Sequence, residues 1–202
     1  MEHDGPISPG RRGWWGPHSL LAQRGSLTAR LRRRLAGPIS VELLSCRKVR
    51  LGGIQAGALN LKPGSMALRR EVFLWGGGRR VFFARSDFPL ASLRGRGRSL
   101  TTLGQRPLGD LLFAGRSWSA AGLRRRMVHL RLLRSHQDHR ALRRWSAVQT
   151  PWQGLWGRRS IVLLGATPIA IREYLLHGAA WNGLPANGPA MVKEHAHQQA
   201  CI

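Results

Sequence analysis

The chain has 202 residues, enough for one domain with a sizeable core, and it carries 33 Lys and Arg against 9 Asp and Glu, a net charge of +24. This imbalance favours acidic partners and excludes an acidic or neutral surface. Lysine occurs only as Lys48, Lys62 and Lys193. The other basic residues are arginines, which bind phosphate bidentately and stack on aromatic rings.

The composition also fits a GC-rich reading frame. The chain contains 25 Gly and 8 Trp but a single tyrosine, Tyr174. Codons for Arg, Gly and Trp are rich in G, whereas codons for Lys and Tyr are rich in A and T. The skew therefore follows codon chemistry as closely as it follows any fold. One hypothesis is that the chain is a reading-frame product with no evolved biochemical activity.

The first predicted elements are a tail and an amphipathic helix. Residues 1–17 are rich in Gly and Pro and are predicted to be flexible. In residues 18–36 leucines recur at spacings of four and seven, which predicts a helix with one apolar face. Gly37 and Pro38 follow and end it.

Short β-prone runs follow the first helix. Two of them flank the Gly-rich stretch 76–80, which predicts a hairpin at 71–84. Residues 85–119 are broken repeatedly by Gly and Pro and are interpreted as loop. We therefore expect residues 18–119 to be a poorly ordered basic region.

The strongest helical pattern covers residues 120–148, which contain no Pro and one Gly. It predicts a basic amphipathic helix that binds polyanions. A short strand is predicted at 160–164. A helix at 168–177 follows, with Thr167 as N-cap and Pro168 at its first position.

These elements do not define a known fold. We expect a mostly irregular or weakly ordered chain with a few short helices and one hairpin, its order concentrated in residues 120–178. Residues 179–202 are predicted to be a second flexible tail.

Motifs for catalysis and cofactor binding are incomplete. The segment 161–171 resembles the opening of a dinucleotide-binding unit, but Gly165 is the only one of the three required glycines. His136 and His139 would share a helical face, yet no further ligand completes a zinc set. There is no GxSxG motif and no close pair of acids. We therefore predict no enzyme activity, no cofactor, no metal and no small-molecule substrate.

Arginine clusters are the remaining candidates for a site. Flexible Arg–Gly tracts such as residues 94–98 can follow a phosphate backbone and stack on bases. Ser99 and Ser146 follow basic residues and are candidate phosphorylation sites. The predicted polyanion-binding residues are Arg32, Arg33, Arg34, Arg94, Arg96, Arg98, Arg124, Arg125, Arg126, Arg143 and Arg144.

The predicted function is binding to nucleic acid, RNA before DNA, or to an acidic protein, with a nuclear location. The alternative is a protein of an anionic membrane surface or of the mitochondrion. Residues 18–36 are Arg-rich, amphipathic and free of acids, as transit peptides are. Glu2 and Asp4 precede that helix and count against it. No run of about 18 apolar residues exists, so no transmembrane segment is expected.

Overall fold

The structure is a computed structural model that describes residues 21, 25–35, 37–113, 124–130, 137–145, 155–164 and 167–176. Six strands form its centre. They are β1 (Ser40–Arg50), β2 (Met66–Gly76), β3 (Arg79–Pro89), β4 (Arg124–Leu130), β5 (Leu155–Leu164) and β6 (Thr167–Leu175). All neighbouring strands are antiparallel, in the order β1-β2-β3-β6-β5-β4. The sheet thus takes three strands from each side of residue 119.

Short helices pack on both faces of this sheet. The α-helices are α1 (Leu27–Arg34), α2 (Gly53–Ala58), α3 (Leu108–Phe113) and α4 (Gln137–Trp145), and two 3-10 helices lie at Leu90–Leu93 and Gly95–Leu100. We call the side that carries Arg70 and Val72 the front face, and the side that carries Phe73 and Tyr174 the back face. Leucines of α1 and α3 contribute to the cores of the front face. Leu142 of α4 packs against the aromatic rings of the back face.

The expectation of a mostly irregular chain is wrong. β2 and β3 are buried along almost their whole length, because both faces of the sheet are covered. The hairpin expected at 71–84 is part of a longer β2–β3 hairpin. Gly77 and Gly78 connect its strands with φ of 59° and 73°. Such values suit the tight turns that glycine favours. The Gly-rich turn thus connects two strands that are longer than the predicted runs.

Two predicted helices are wrong. Within 120–148, residues 124–130 form β4, which pairs with β5 from Arg124 opposite Ile161 onwards, and the described residues Gln137–Trp145 are helical. The predicted helix at 168–177 is β6. Strand pairing outweighs local periodicity in both segments. Pro168 is tolerated because it lies at the start of β6, before pairing with β3 begins at Ala170.

The helix expected at 18–36 is shorter in the structure. It begins at Leu27, and the Ser26 hydroxyl caps it by accepting a hydrogen bond from the Ala29 N–H at 3.2 Å. Leu27 and Leu31 are buried on its apolar face. The predicted strand at 160–164 lies within β5. Both predicted tails, 1–17 and 179–202, lie outside the described residues.

Gly157 in β5 marks a close approach between strands, and its replacement tests the packing of the sheet. An alanine Cβ there would lie 2.4 Å from Tyr174 Cδ1 and 2.7 Å from the Glu173 carbonyl oxygen. We expect Gly157→Ala to lower the free energy of unfolding in urea by about 1–3 kcal/mol, as overpacking does. Gly57→Ala is the matched control, because Gly57 has no heavy atom within 4 Å of the added Cβ. Equal effects of the two variants would contradict the packing argument.

Candidate active site

A cavity, the front cavity, lies between the front face of the sheet and the elements α1 and α3 that cover it. Its free space is about 50 Å³. Most of its wall is apolar, built from Leu27, Val72, Leu74, Leu108, Leu112 and Val162. The same wall also carries the charged side chains of Arg70, Arg158 and Glu173. Charged groups held in an apolar enclosure are typical of a site that recognises a small polar ligand.

Arg70, in the middle of β2, is a buried cation. Its Nη2 donates to two carbonyl oxygens, Gly104 O at 2.8 Å and Arg106 O at 3.0 Å. Among the described residues, no acceptor pairs with its Nε and no carboxylate forms a salt bridge with it. Burial lowers the pKa of Arg70 to about 10, which leaves it charged at neutral pH. A ligand carboxylate would supply both the missing charge and the missing acceptor.

Arg158 and Glu173 form the second charged group of the front cavity. They lie directly opposite one another in the register of β5 and β6. Arg158 Nε donates to Glu173 Oε2, and Nη2 donates to Oε1 at 3.1 Å. Within the described part of the chain, Arg158 Nη1 has no partner although it is buried. The pair thus offers one unused donor, besides the carboxylate of Glu173.

Arg30 of α1 adds positive charge near this pair. It is buried, and burial followed by repulsion from Arg158 lowers its pKa. The Glu173 carboxylate acts in the opposite direction and raises the pKa of Arg30. The electrostatic environment around Arg158 and Glu173 therefore favours a negatively charged ligand.

The sheet fixes the spacing between the two charged groups. Arg70 lies opposite Ser86 of β3, and Glu173 of β6 lies opposite Ala84 of β3. Arg70 and Glu173 are thus two strands apart and offset by two residues along the strands, roughly 12 Å at the backbone from a strand spacing of about 4.8 Å and a rise of about 3.4 Å per residue. The front cavity can hold a ligand with an anionic end at Arg70, an apolar middle and a polar end at Glu173.

Of the eleven arginines predicted from the sequence, the six whose side chains the structure describes lie outside the front cavity; they are Arg32, Arg33, Arg34, Arg94, Arg98 and Arg144. Arg32, Arg33 and Arg34 are exposed at the end of α1, and Arg32 forms a salt bridge of 2.7 Å with Asp110. Arg94 and Arg98 are also exposed, beside and within the second 3-10 helix. Among the rest, Arg96 lies in that 3-10 helix, Arg124, Arg125 and Arg126 in β4, and Arg143 and Arg144 in α4. The structure thus distributes them over several surfaces.

Sequence reasoning missed Arg70, Arg158 and Glu173, because charged residues were interpreted as solvent-facing. One feature of the sequence could have pointed to Arg70. It stands between Leu68 and Val72 in a β-prone run, and alternation places the three on one face of a strand. A charge on the apolar face of a strand is a candidate for a site.

The described residues contain neither a metal site nor a membrane-spanning helix. Among the described residues, no three His, Cys, Asp or Glu side chains come together as a metal site. Of the histidines weighed above, His136 lies outside those residues. No helix in the described part of the chain is long and apolar enough to cross a membrane.

Known proteins resemble this chain over most of its length. Residues 17–183 match a protein-family model described as chorismate lyase. A protein of Methylococcus capsulatus named "Probable chorismate pyruvate-lyase" is 35% identical over 158 residues, 78% of this chain and 93% of the relative. A protein of the same name from Thiobacillus denitrificans is 34% identical over 165 residues, 82% of this chain and 81% of the relative.

Solved structures share the fold. The effector domain of PhnF from Mycobacterium smegmatis superposes with a TM-score of 0.53 at 19% identity, over 75% of this chain and 88% of that one. The ligand-binding domain of a putative GntR-family transcriptional regulator from Bordetella bronchiseptica gives a TM-score of 0.50, also at 19% identity, over 71% of this chain and 85% of that one. At this identity the likeness concerns the fold alone.

Proposed function

Because this chain belongs to the chorismate lyase family, we propose that it releases pyruvate from chorismate and that the front cavity is its active site. The observation that carries the assignment of the site is Arg70, a buried guanidinium that has an unused donor and no counter-ion among the residues that the structure describes. Chorismate carries two carboxylates, so it can supply the anion that Arg70 lacks.

The earlier predictions of function are wrong. A match to the family over residues 17–183, and relatives named for an enzyme activity on a small molecule, contradict a nucleic-acid or acidic-protein binder that is not an enzyme. They equally contradict a protein defined by a membrane surface and a chain without a small-molecule substrate. Identity of 35% over 158 residues contradicts an unselected reading frame, because unselected sequence does not keep such similarity. The nuclear or mitochondrial location stays a prediction.

The reaction balances without a co-reactant. Chorismate is a cyclohexadiene with a ring carboxylate, a hydroxyl group and an enolpyruvyl ether on the carbon next to that hydroxyl. The bond from the ring carbon to the ether oxygen breaks, and the oxygen leaves with the three-carbon unit. The hydrogen on the hydroxyl-bearing carbon is transferred to the methylene of that unit, which becomes pyruvate. The ring becomes an aromatic hydroxybenzoate.

The two charged groups of the front cavity fit the two ends of this substrate. Arg70 binds the ring carboxylate through its free Nε. Glu173 accepts a hydrogen bond from the ring hydroxyl, which lies across the ring from that carboxylate. Arg158 donates from Nη1 to the carboxylate of the enolpyruvyl group. This assignment fits because the enolpyruvyl group is attached next to the ring hydroxyl, and Arg158 lies next to Glu173. The apolar wall holds the ring between them and excludes water.

The cover of the front cavity has to move for substrate to bind. A free space of about 50 Å³ is small beside the roughly 300–1,000 Å³ of a typical small-molecule pocket. Pro107, Leu108 and Leu112, which line the cavity from the side of α3, belong to a short element that is not part of the sheet. We expect this segment to shift outward when chorismate enters, while the strands keep Arg70 and Glu173 in place.

A direct assay tests the proposed function. The purified full chain is incubated with chorismate, pyruvate is measured with lactate dehydrogenase and NADH, and the aromatic product is measured by its absorbance. We expect both products in equal amounts, at a rate well above that without protein. A folded chain that forms neither product would overturn the proposal.

Glu173 is tested by an isosteric change. We expect Glu173→Gln to lower kcat/KM for pyruvate release about 10-fold to 100-fold, because the substitution removes the charge that accepts from the ring hydroxyl and holds Arg158. Glu42→Gln is the matched control. Glu42 also accepts from an arginine, Arg80, but lies outside the front cavity. Activity of the Glu173 variant within two-fold of the control would exclude the assigned role.

A further inference from the structure

We propose that the back face of the sheet holds a second ligand site, for a small molecule that carries a diphosphate group. The site is a cavity of about 240 Å³, the back cavity, lined by five arginines and one acid: Arg47, Arg69, Arg85, Arg140, Arg144 and Glu71. It shares no lining residue with the front cavity. The inference therefore does not rest on the proposed lyase function.

The floor of the back cavity is rigid because its acids are already occupied. Arg85 donates two hydrogen bonds to Glu71 Oε1, one from Nε at 2.9 Å and one from Nη2 at 2.7 Å. Glu71 Oε2 accepts from the indole N–H of Trp145 at 3.0 Å. Two residues along the same face of the sheet, Asp87 accepts from Arg69 Nε at 2.6 Å and from Arg172 Nη1 at 3.0 Å. These bonds hold the inner arginines in place and leave little negative charge for any other cation.

The rim of the back cavity carries charge that the described residues do not neutralise. Arg47, Arg140 and Arg144 are exposed, and within the described part of the chain no carboxylate forms a salt bridge with them. Arg47 lies directly opposite Arg69 in the register of β1 and β2. Arg140 and Arg144 are one helical turn apart on α4. Like charges in either arrangement repel one another, and a bound anion would remove that cost.

Contacts with the sheet hold α4 over the floor of the back cavity. The arginines that α4 contributes to the cavity therefore have defined positions. Leu142 is fully buried against Phe73, Phe83 and Tyr174 of the back face. Trp145 joins the helix to Glu71. The Arg144 guanidinium carbon lies 5.1 Å from the centroid of the Trp145 ring, which limits where that charge can point. The rim is therefore attached to the sheet rather than a free basic tail.

Charge and size indicate a diphosphate. With Arg85 paired to Glu71 and Arg69 paired to Asp87, the three rim arginines leave an excess of three positive charges around a cavity of about 240 Å³. A diphosphate, with a charge of roughly −3 at neutral pH, offsets most of that excess, whereas a single carboxylate offsets one charge. Its tetrahedral oxygens can accept from guanidinium groups on several sides at once. The enclosed floor suits a small molecule.

Titration calorimetry of the full chain tests the site, with inorganic diphosphate and adenosine diphosphate as two separate probes in buffer of physiological salt. We expect saturable binding of inorganic diphosphate at one site per chain. If adenosine diphosphate also binds, the site accepts a diphosphate group that is attached to a nucleoside. Binding of inorganic diphosphate alone would show that it prefers the free anion. Absence of binding of both probes overturns the proposal.

Variants locate the binding. Arg47→Ala, and separately the double change Arg140→Ala with Arg144→Ala, should weaken diphosphate binding at least 10-fold. Arg98→Ala is the charge-matched control, because Arg98 is exposed and lies outside the back cavity. Circular dichroism verifies that each variant is folded. If Arg98→Ala weakens binding as much as Arg47→Ala, the anion binds through overall charge and the proposal is wrong.

Discussion

Replacing Arg70 with methionine is expected to lower kcat/KM for pyruvate release from chorismate at least about 100-fold, with the protein still folded. A hydrogen bond to a charged group contributes about 1.5–3 kcal/mol, and loss of the Arg70 bond also leaves the buried carboxylate of the substrate without a counter-charge, so the combined effect gives a factor of this size. Methionine keeps the apolar stem but offers neither charge nor donor. The fold should tolerate it, because Arg70 has no counter-ion among the described residues and its charge is costly to bury.

Two further variants make this prediction specific. Arg70→Lys keeps the charge but loses the planar fork, so we expect activity between that of the wild type and that of Arg70→Met. Arg98→Met removes an exposed arginine outside the front cavity and should leave the rate within about two-fold. Activity is measured as pyruvate formed, and folding as the midpoint of urea unfolding. A fully active Arg70→Met enzyme would show that the front cavity is not the active site.

Part of the fold could be predicted from the sequence, where local chemistry and tertiary structure agree. The β-prone runs around residues 76–80 contain consecutive apolar residues and a glycine turn, and they form the centre of the β2–β3 hairpin. The apolar face of 18–36 is present in α1, although the helix itself spans only Leu27–Arg34. In both segments the residues that determine the structure are close in sequence.

The other strands could not be predicted, because their stability comes from distant partners. β4 contains three consecutive arginines, Arg124, Arg125 and Arg126, and resembles a basic helix until β5 pairs with it. β6 begins with Thr167 and Pro168, which is a typical helix start, yet its residues join β3 and β5 in the middle of the sheet. No local pattern contains that information.

The candidate site was missed for a related reason. Arginine is the commonest charged residue in this chain, so each arginine was interpreted as part of a solvated surface. Arg70 and Arg158 are instead buried on the front face, together with Glu173. The composition predicts where a typical arginine of this chain lies. The site depends instead on the few arginines whose position along a strand places them on the buried front face.

Asp87 is the residue whose loss should destabilise the fold most. Its carboxylate is completely buried, and it accepts from Arg69 of β2 and from Arg172 of β6. Asp87→Ala would remove the buried carboxylate that these two guanidinium groups share. Removing one partner of a buried ion pair costs about 3–5 kcal/mol, a large share of the roughly 5–15 kcal/mol that stabilises a typical domain.

Asp110→Ala is the control that separates this effect from a general loss of negative charge. Asp110 also pairs with an arginine, Arg32, at 2.7 Å, but the two side chains are 38% and 44% exposed. An exposed pair of this kind contributes about 0–1 kcal/mol. We expect urea unfolding of Asp87→Ala to show a loss several times larger than that of Asp110→Ala, with Asp87→Asn between them because it keeps an acceptor. If the two alanine variants differ by less than about 1 kcal/mol, the arginines around Asp87 do not depend on its charge, and the rigid floor inferred for the back cavity is lost with it.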